Sequence, residues 1–181
     1  MDPVTLCDPP ARAGAIEPAV RDSLLMRIIL LFWLVAFVAA CTTEAPEPSP
    51  EQLEVFSQPV DVELVVVAAR NAMRFETTRI EAPEGATVRL VMDNETTTSP
   101  SMLHNVVVLA EGADVEQIGR AAAGVEGNVP DDPAVIVATP LARPRGKTAV
   151  VFTMPPAGEY PYICTYPGHF LMMQGVLVST P

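Results

Sequence analysis

The stretch YPYICTYPGHFLMMQGVLVST, residues 160–180, constrains this chain more than any other. Two runs with strand character flank a short loop, and Pro167-Gly168 bends it. Cys164 closes the first strand and Gly175 opens the second. Between them Cys164, His169 and Met173 fall at the spacing C-x4-H-x3-M, so the bend lets Cys164 and His169 face a common point. A fold containing this stretch must hold a reactive thiol at the end of a strand pair.

The region before it has the same character. VDVELVVVAA (60–69) alternates and is β-branched, and Met73–Ile80 and ATVRLVMDN (86–94) alternate again around a Pro83-Glu84-Gly85 turn. LHNVVVLA (103–110) reads as a buried strand, and 134–138 and 147–154 as two more. Asp114 with Gln117 three residues on gives a helix start, with Val115, Ile118 and Ala122 on one face; Gly124 and Gly127-Asn128 end that helix. Seven to eight strands with turn signals and one inserted helix predict an all-β, antiparallel Greek-key sandwich.

The N-terminal third is different. RIILLFWLVAFVAA (27–40) is too short to span a bilayer comfortably, which takes roughly 20 residues, and fits the apolar region of a signal peptide. Val38-Ala39-Ala40-Cys41 resembles the lipobox of bacterial lipoproteins. That resemblance implies lipidation of Cys41, a mature chain that starts there, and an extracytoplasmic protein held on a bacterial membrane. The plainer alternative is a signal-anchor helix with an incidental cysteine. Residues 1–25 are expected to be unstructured or to precede the true start at Met26, with 26–40 the signal peptide. Residues 41–58, Pro- and Glu-rich, are expected to be an extended tether and 59–181 the folded domain.

This leaves Cys164 without a partner: of three cysteines, Cys7 falls before the expected start and Cys41 at the lipidation site. An unpaired thiol outside the cytoplasm is open to oxidation and needs protection. A thiolate, an imidazole and a thioether on one loop suit copper better than calcium or magnesium. The chain holds two histidines, so the other imidazole is His104, about sixty residues earlier. Two imidazoles and a thiolate in a plane, with a weak axial thioether, form an electron-transfer copper site that leaves no position open for a substrate. The net charge of −11 argues against nucleic acid as a partner.

Residues 60–181 resemble the cupredoxins, most closely azurins and auracyanins. The resemblance rests on Leu103-His104-Asn105-Val106-Val107, on Tyr162-Ile163-Cys164-Thr165-Tyr166-Pro167-Gly168-His169, and on Met173-Gln174-Gly175. It implies one type 1 copper with His104, Cys164 and His169 as equatorial ligands. Asn105 would tie the two ligand loops together, and Leu103 and Thr165 would flank the ligands. Azurins carry glycine before the first ligand histidine, with its carbonyl facing the copper; Leu103 stands here instead. Azurin spacing puts the axial ligand at Met173 and auracyanin spacing at Gln174, with Met172 a third candidate; alignment on the following Gly175 favours Met173, which is the expected ligand. Tyr166, Pro167, Phe170, Leu171 and Met172 would form either core or an apolar surface around His169; at least part of them is expected to be surface, as a docking patch for redox partners. The implied function is one-electron transfer by a monomeric carrier that is not an enzyme. Copper storage, delivery or tolerance is the alternative, and it would want an exposed site richer in Met and His.

Overall fold

The computed structural model describes residues 49–96, 99 and 101–181. The apolar run, Cys7 and Cys41 lie outside them. No described helix is long and apolar enough to cross a membrane.

Eight strands form among the described residues: β1 (Val62–Ala68), β2 (Arg79–Pro83), β3 (Thr87–Asn94), β4 (Val107–Leu109), β5 (Val135–Ala138), β6 (Lys147–Thr153), β7 (Gly158–Ile163) and β8 (Gln174–Thr180). They make a three-stranded sheet in the order β1-β3-β6 and a five-stranded sheet in the order β2-β8-β7-β4-β5. The two sheets bury a common core. Leu64, Val66, Leu90 and Met92 come from one side, and Val108, Tyr160, Tyr162 and Leu177 from the other. The sandwich is therefore as expected, with one difference of direction. Most pairings are antiparallel, but β1 runs parallel to β3 and β2 parallel to β8. In each case the paired strands are not consecutive, so no hairpin fixes their sense.

Two local expectations change. Met73–Ile80 is not one strand: Phe75 makes a single bridge to Ala68, and β2 starts only at Arg79. Phe75 and Ile80 both enter the same core, yet lie an odd number of positions apart. A continuous strand would send them to opposite faces, so the chain must break between them. The strand expected over 103–110 is regular only from Val107. His104 is held by a separate bridge to Ala142.

The extended tether expected over 41–58 is corrected over its described part, and residues 41–48 lie outside the described residues. Residues Pro50–Ser57 form a helix, α1. Ser49 caps it by accepting from the Gln52 N–H, and Pro50 sits in its first turn, where a missing N–H costs nothing. The Gln52 amide then pairs with the free backbone edge of β6. It accepts from Ala149 N–H at 2.7 Å and donates to Ala149 C=O at 3.3 Å, covering an edge that would otherwise invite another strand. Arg89 reaches out of β3 to Val55 C=O, Gln58 C=O and the Glu63 carboxylate.

The inserted helix forms where expected, as α2 (Val115–Ala121), with Asp114 accepting from Gln117 N–H at 3.0 Å. It roofs the outer face of the five-stranded sheet. Val107, Leu109 and Ile163 meet Ile118 and Phe170 there, while Val106 and Val108 face the central core. Burial on both faces explains the unbroken run Val106–Leu109. Each such side chain contributes about 1.5–3 kcal/mol on leaving water.

Candidate metal centre

The ligand loop is built by two turns. Tyr166–His169 is a β-turn with Pro167 and Gly168 at its centre, closed by His169 N–H to Tyr166 C=O at 2.9 Å. Gly168 has φ +82°, which a type II turn demands at that position. A single 3-10 turn, His169–Leu171, follows, and the His169 carbonyl accepts from both Met172 and Met173. The chain thereby returns to the sheet in register. Ile163 pairs with Gln174, and the next pair is Cys164 with Met173, joined by Cys164 N–H to Met173 C=O at 3.0 Å. Directly opposed residues of antiparallel strands point to the same face. Cys164 and Met173 therefore share the core face, and both are fully buried.

Phe170 anchors this loop from the other side. It is buried under α2, where a side chain on Gly119 would overlap its ring. Its expected place in an apolar surface patch is thus corrected: a fully apolar ring with a helix above it is core. Of the five patch residues, Leu171 and Met172 are 61% and 67% exposed, Pro167 is exposed and Tyr166 is partly buried. The Tyr166 ring lies against His169, with centroids 4.8 Å apart.

His104 arrives from the opposite loop. It is pinned by two backbone bonds with Ala142, at 3.2 and 2.7 Å. Its Nδ1 lies 3.8 Å from Cys164 Sγ and 3.1 Å from His169 Nδ1, and His169 Nδ1 lies 3.6 Å from Cys164 Sγ. All three residues are buried. Burial lowers the pKa of His104 to about 4, helped by His169 alongside, and lowers that of His169 as well. Both rings are therefore neutral at physiological pH and have lone pairs to give. Burial pushes the Cys164 thiol up to about 11, against the opposing pull of the Asn105 and Tyr166 backbone N–H groups, which favour thiolate. A thiol so hard to ionise in an apolar pocket needs a cation to become thiolate. Two neutral imidazoles and one sulfur, dry and convergent, fit copper.

The two loops are tied by Asn105 and Thr165. Asn105 Oδ1 accepts from Thr165 N–H and Asn105 Nδ2 donates to Thr165 Oγ1, both at 2.9 Å; the Thr165 hydroxyl donates to Asn128 C=O at 2.5 Å. Leu103 is partly buried, and its N–H turns back to Ser101 C=O. Gln174 is exposed and donates to Phe170 C=O. It occupies the opposite side of the strand from Cys164, and Met172 points outward. Sequence reasoning missed Asn94, Thr96, Asn128 and Gly119. Asn94 read as the end of the strand over 86–94, and Gly127-Asn128 as the end of the inserted helix. Gly119, a glycine inside a helical pattern, was the one readable signal, since such a glycine usually marks close packing.

An eight-stranded sandwich with a buried His-Cys-His cluster at one end defines a cupredoxin. The chain belongs to the copper-binding plastocyanin/azurin family, whose model matches residues 62–179. It is 34% identical to auracyanin-A of Chloroflexus aurantiacus over 164 residues, covering 87% of this chain and 98% of that one. It is also 34% identical to an azurin of Methylobacillus flagellatus over 122 residues, covering 62% of this chain and 82% of the azurin. Among solved structures, auracyanin B superimposes with a TM-score of 0.63 at 32% identity, covering 68% of this chain and 92% of that chain. Copper is the cofactor this site is arranged to hold.

Proposed function

We propose that the protein is a type 1 copper electron carrier, lipid-anchored through Cys41 outside the cytoplasm, that passes single electrons between redox proteins. The carrying observation is the buried convergence of His104, Cys164 and His169 with Met173 on the same face. Copper, when bound, supplies the Cu(II)/Cu(I) couple. The chain does the rest. His104, Cys164 and His169 would hold the metal, and Met173 would be the thioether donor beside them, since it is buried on the face of Cys164 whereas Gln174 and Met172 are exposed. Asn105 and Thr165 lock the two loops together, so the ligands keep one arrangement in both oxidation states and little reorganises. Burial keeps water and oxidants from the thiolate and favours a resident copper over an exchangeable one. Leu171 and Met172, with Pro167 and Tyr166, offer a small apolar surface beside His169 that suits short-lived docking.

Support for the anchor is separate and comes from the lipobox-like Val38-Ala39-Ala40-Cys41. Titration of the purified protein with Cu(II) tests the main reading. It should give an intense blue absorption band that bleaches on reduction and returns on reoxidation. Tight binding without the band would favour storage or delivery instead. Mass spectrometry of the N-terminal peptide from the native host should find a diacylglyceryl group on Cys41; a free thiol there would remove the anchor.

A further inference from the structure

His104 has a second nitrogen, and it is occupied. Nε2 lies 3.2 Å from the Thr96 hydroxyl oxygen, and Thr96 is buried. The same hydroxyl is 3.5 Å from Ala69 C=O at the end of β1. A hydroxyl has one proton. Both contacts are made together only when the hydroxyl donates to Ala69 C=O and accepts from Nε2–H, an arrangement that leaves the Nδ1 lone pair facing Cys164 Sγ and His169 Nδ1.

Thr96 is itself fixed by a fully engaged amide. Asn94 Oδ1 accepts from Thr96 N–H at 3.1 Å. Asn94 Nδ2 donates to Met102 C=O and Ala142 C=O, both at 2.9 Å. Ala142 is also the residue that pairs with the His104 backbone. One buried Asn–Thr unit thus holds both ends of His104, its main chain through Ala142 and its ring through the Thr96 hydroxyl. Asn105–Thr165 holds the Cys164 end in the same manner.

We propose that Thr96 is a positioning residue for His104: its hydroxyl, set by Asn94, selects the Nε2–H tautomer and orients Nδ1 as a metal donor before copper arrives. The proposal rests on the copper reading above. The hydrogen-bond partner of a ligand imidazole governs tautomer and ligand strength, and losing one typically costs about 10- to 100-fold in metal affinity.

The test uses the whole protein with Thr96→Val, which keeps the shape and removes the hydroxyl, and Thr96→Ser, which restores it. Long-range proton–nitrogen NMR of the copper-free wild type should show His104 protonated on Nε2. In Thr96→Val that preference should be lost, Cu(II) affinity should fall by about 10- to 100-fold, and the reduction potential should shift. Thr96→Ser should behave as wild type in all three. A wild-type His104 protonated on Nδ1 would overturn the proposal, as would a valine variant that matches serine in tautomer and affinity. If Thr96→Val does not fold, the wild-type tautomer and the serine variant decide the matter. The NMR measurement is made without copper, so absence of a blue band in the wild type would sink the copper reading while leaving the tautomer result legible.

Discussion

The two loops that meet at the metal centre solve the same problem in different ways. The Cys164–Met173 loop is local: ten residues, closed by a type II turn, a 3-10 turn and the β7–β8 register, place three soft donors. The His104 loop contributes one donor and has almost no local structure, only a bridge to Ala142 and buried side-chain bonds from Asn94 and Thr96. The first loop is shaped by backbone geometry, the second by buried side-chain bonds and by its tie to the distant Ala142. A site assembled this way is only as good as the ties between its halves, and the substitutions below probe each half and the seam.

The largest effect should come from the local loop. Cys164→Ser removes the soft donor that gives the proposed centre its colour while leaving the β7–β8 register intact. The expected outcome is complete loss of the blue band on Cu(II) titration with circular dichroism unchanged. A residual band would show that the sulfur is not a ligand.

At the seam, Asn105→Ala deletes the amide that joins the halves and leaves the Thr165 N–H buried and unpaired. An unsatisfied buried group costs about 1–3 kcal/mol, so chemical denaturation should register a loss of roughly that size. The band should also shift, because two loops are released rather than one bond lost.

Gly119→Ala attacks the local loop from behind. The new Cβ would run into the Phe170 ring, and overpacking a core typically costs about 1–3 kcal/mol. Thermal unfolding should show the loss. Phe170→Ala in the same background should relieve the clash, and a non-additive pair would establish that α2 and the ligand loop are coupled through this contact.

A smaller, reversible effect is expected from pH in the copper-free protein. His104 has a folded pKa of about 4, below its ordinary value near 6.5. The unfolded chain therefore binds more protons between those values, and stability should decline as pH falls from about 6.5 toward 4. Cys164 works in the opposite sense. Its folded pKa of about 11 lies above the ordinary value of 9.0, so stability should decline as pH rises from 9.0 toward about 11. Denaturation midpoints across pH 4 to 11 should trace both limbs. Copper should suppress both, since it binds the deprotonated forms.

The contrast between the loops also explains what was legible in the sequence. Cys164, His169 and the choice of copper chemistry could be read directly, because their spacing and Pro167-Gly168 are local facts. The strands and α2 could be read from alternation and from Asp114. What could not be read was anything whose cause lay far away in the chain. Phe170 could be read as core or as surface, because Gly119 signals close packing without saying that Phe170 is what packs there. Residues 50–57 looked like tether because Pro and Glu are also what a helix start uses, and the partner that docks them, Ala149, is about a hundred residues away. Asn94 looked like the end of a strand, and only the folded chain brings it to Ala142, the residue that bridges His104.

The smallest expected effect tests the finest assignment. Spacing leaves Met173, Gln174 and Met172 as candidates, since azurin and auracyanin loops differ by one residue, and alignment on Gly175 favours Met173. Register separates their positions: the Cys164–Met173 pair puts Met173 on the core face, Gln174 pairs with Ile163 and is exposed, and Met172 is 67% exposed. If Met173 is the axial thioether, Met173→Leu keeps the trigonal ligands and the buried volume, so the blue band should persist. A thioether interacting weakly with Cu(II) stabilises the oxidised state more than a hydrocarbon does, so its loss should raise the reduction potential, read by redox titration of the band. Gln174→Ala and Met172→Ala, with side chains on the outer face, should leave that potential where it is. A potential unmoved in Met173→Leu but shifted in Gln174→Ala would transfer the axial role and require the loop to slip by one residue, turning Met173 out of the core.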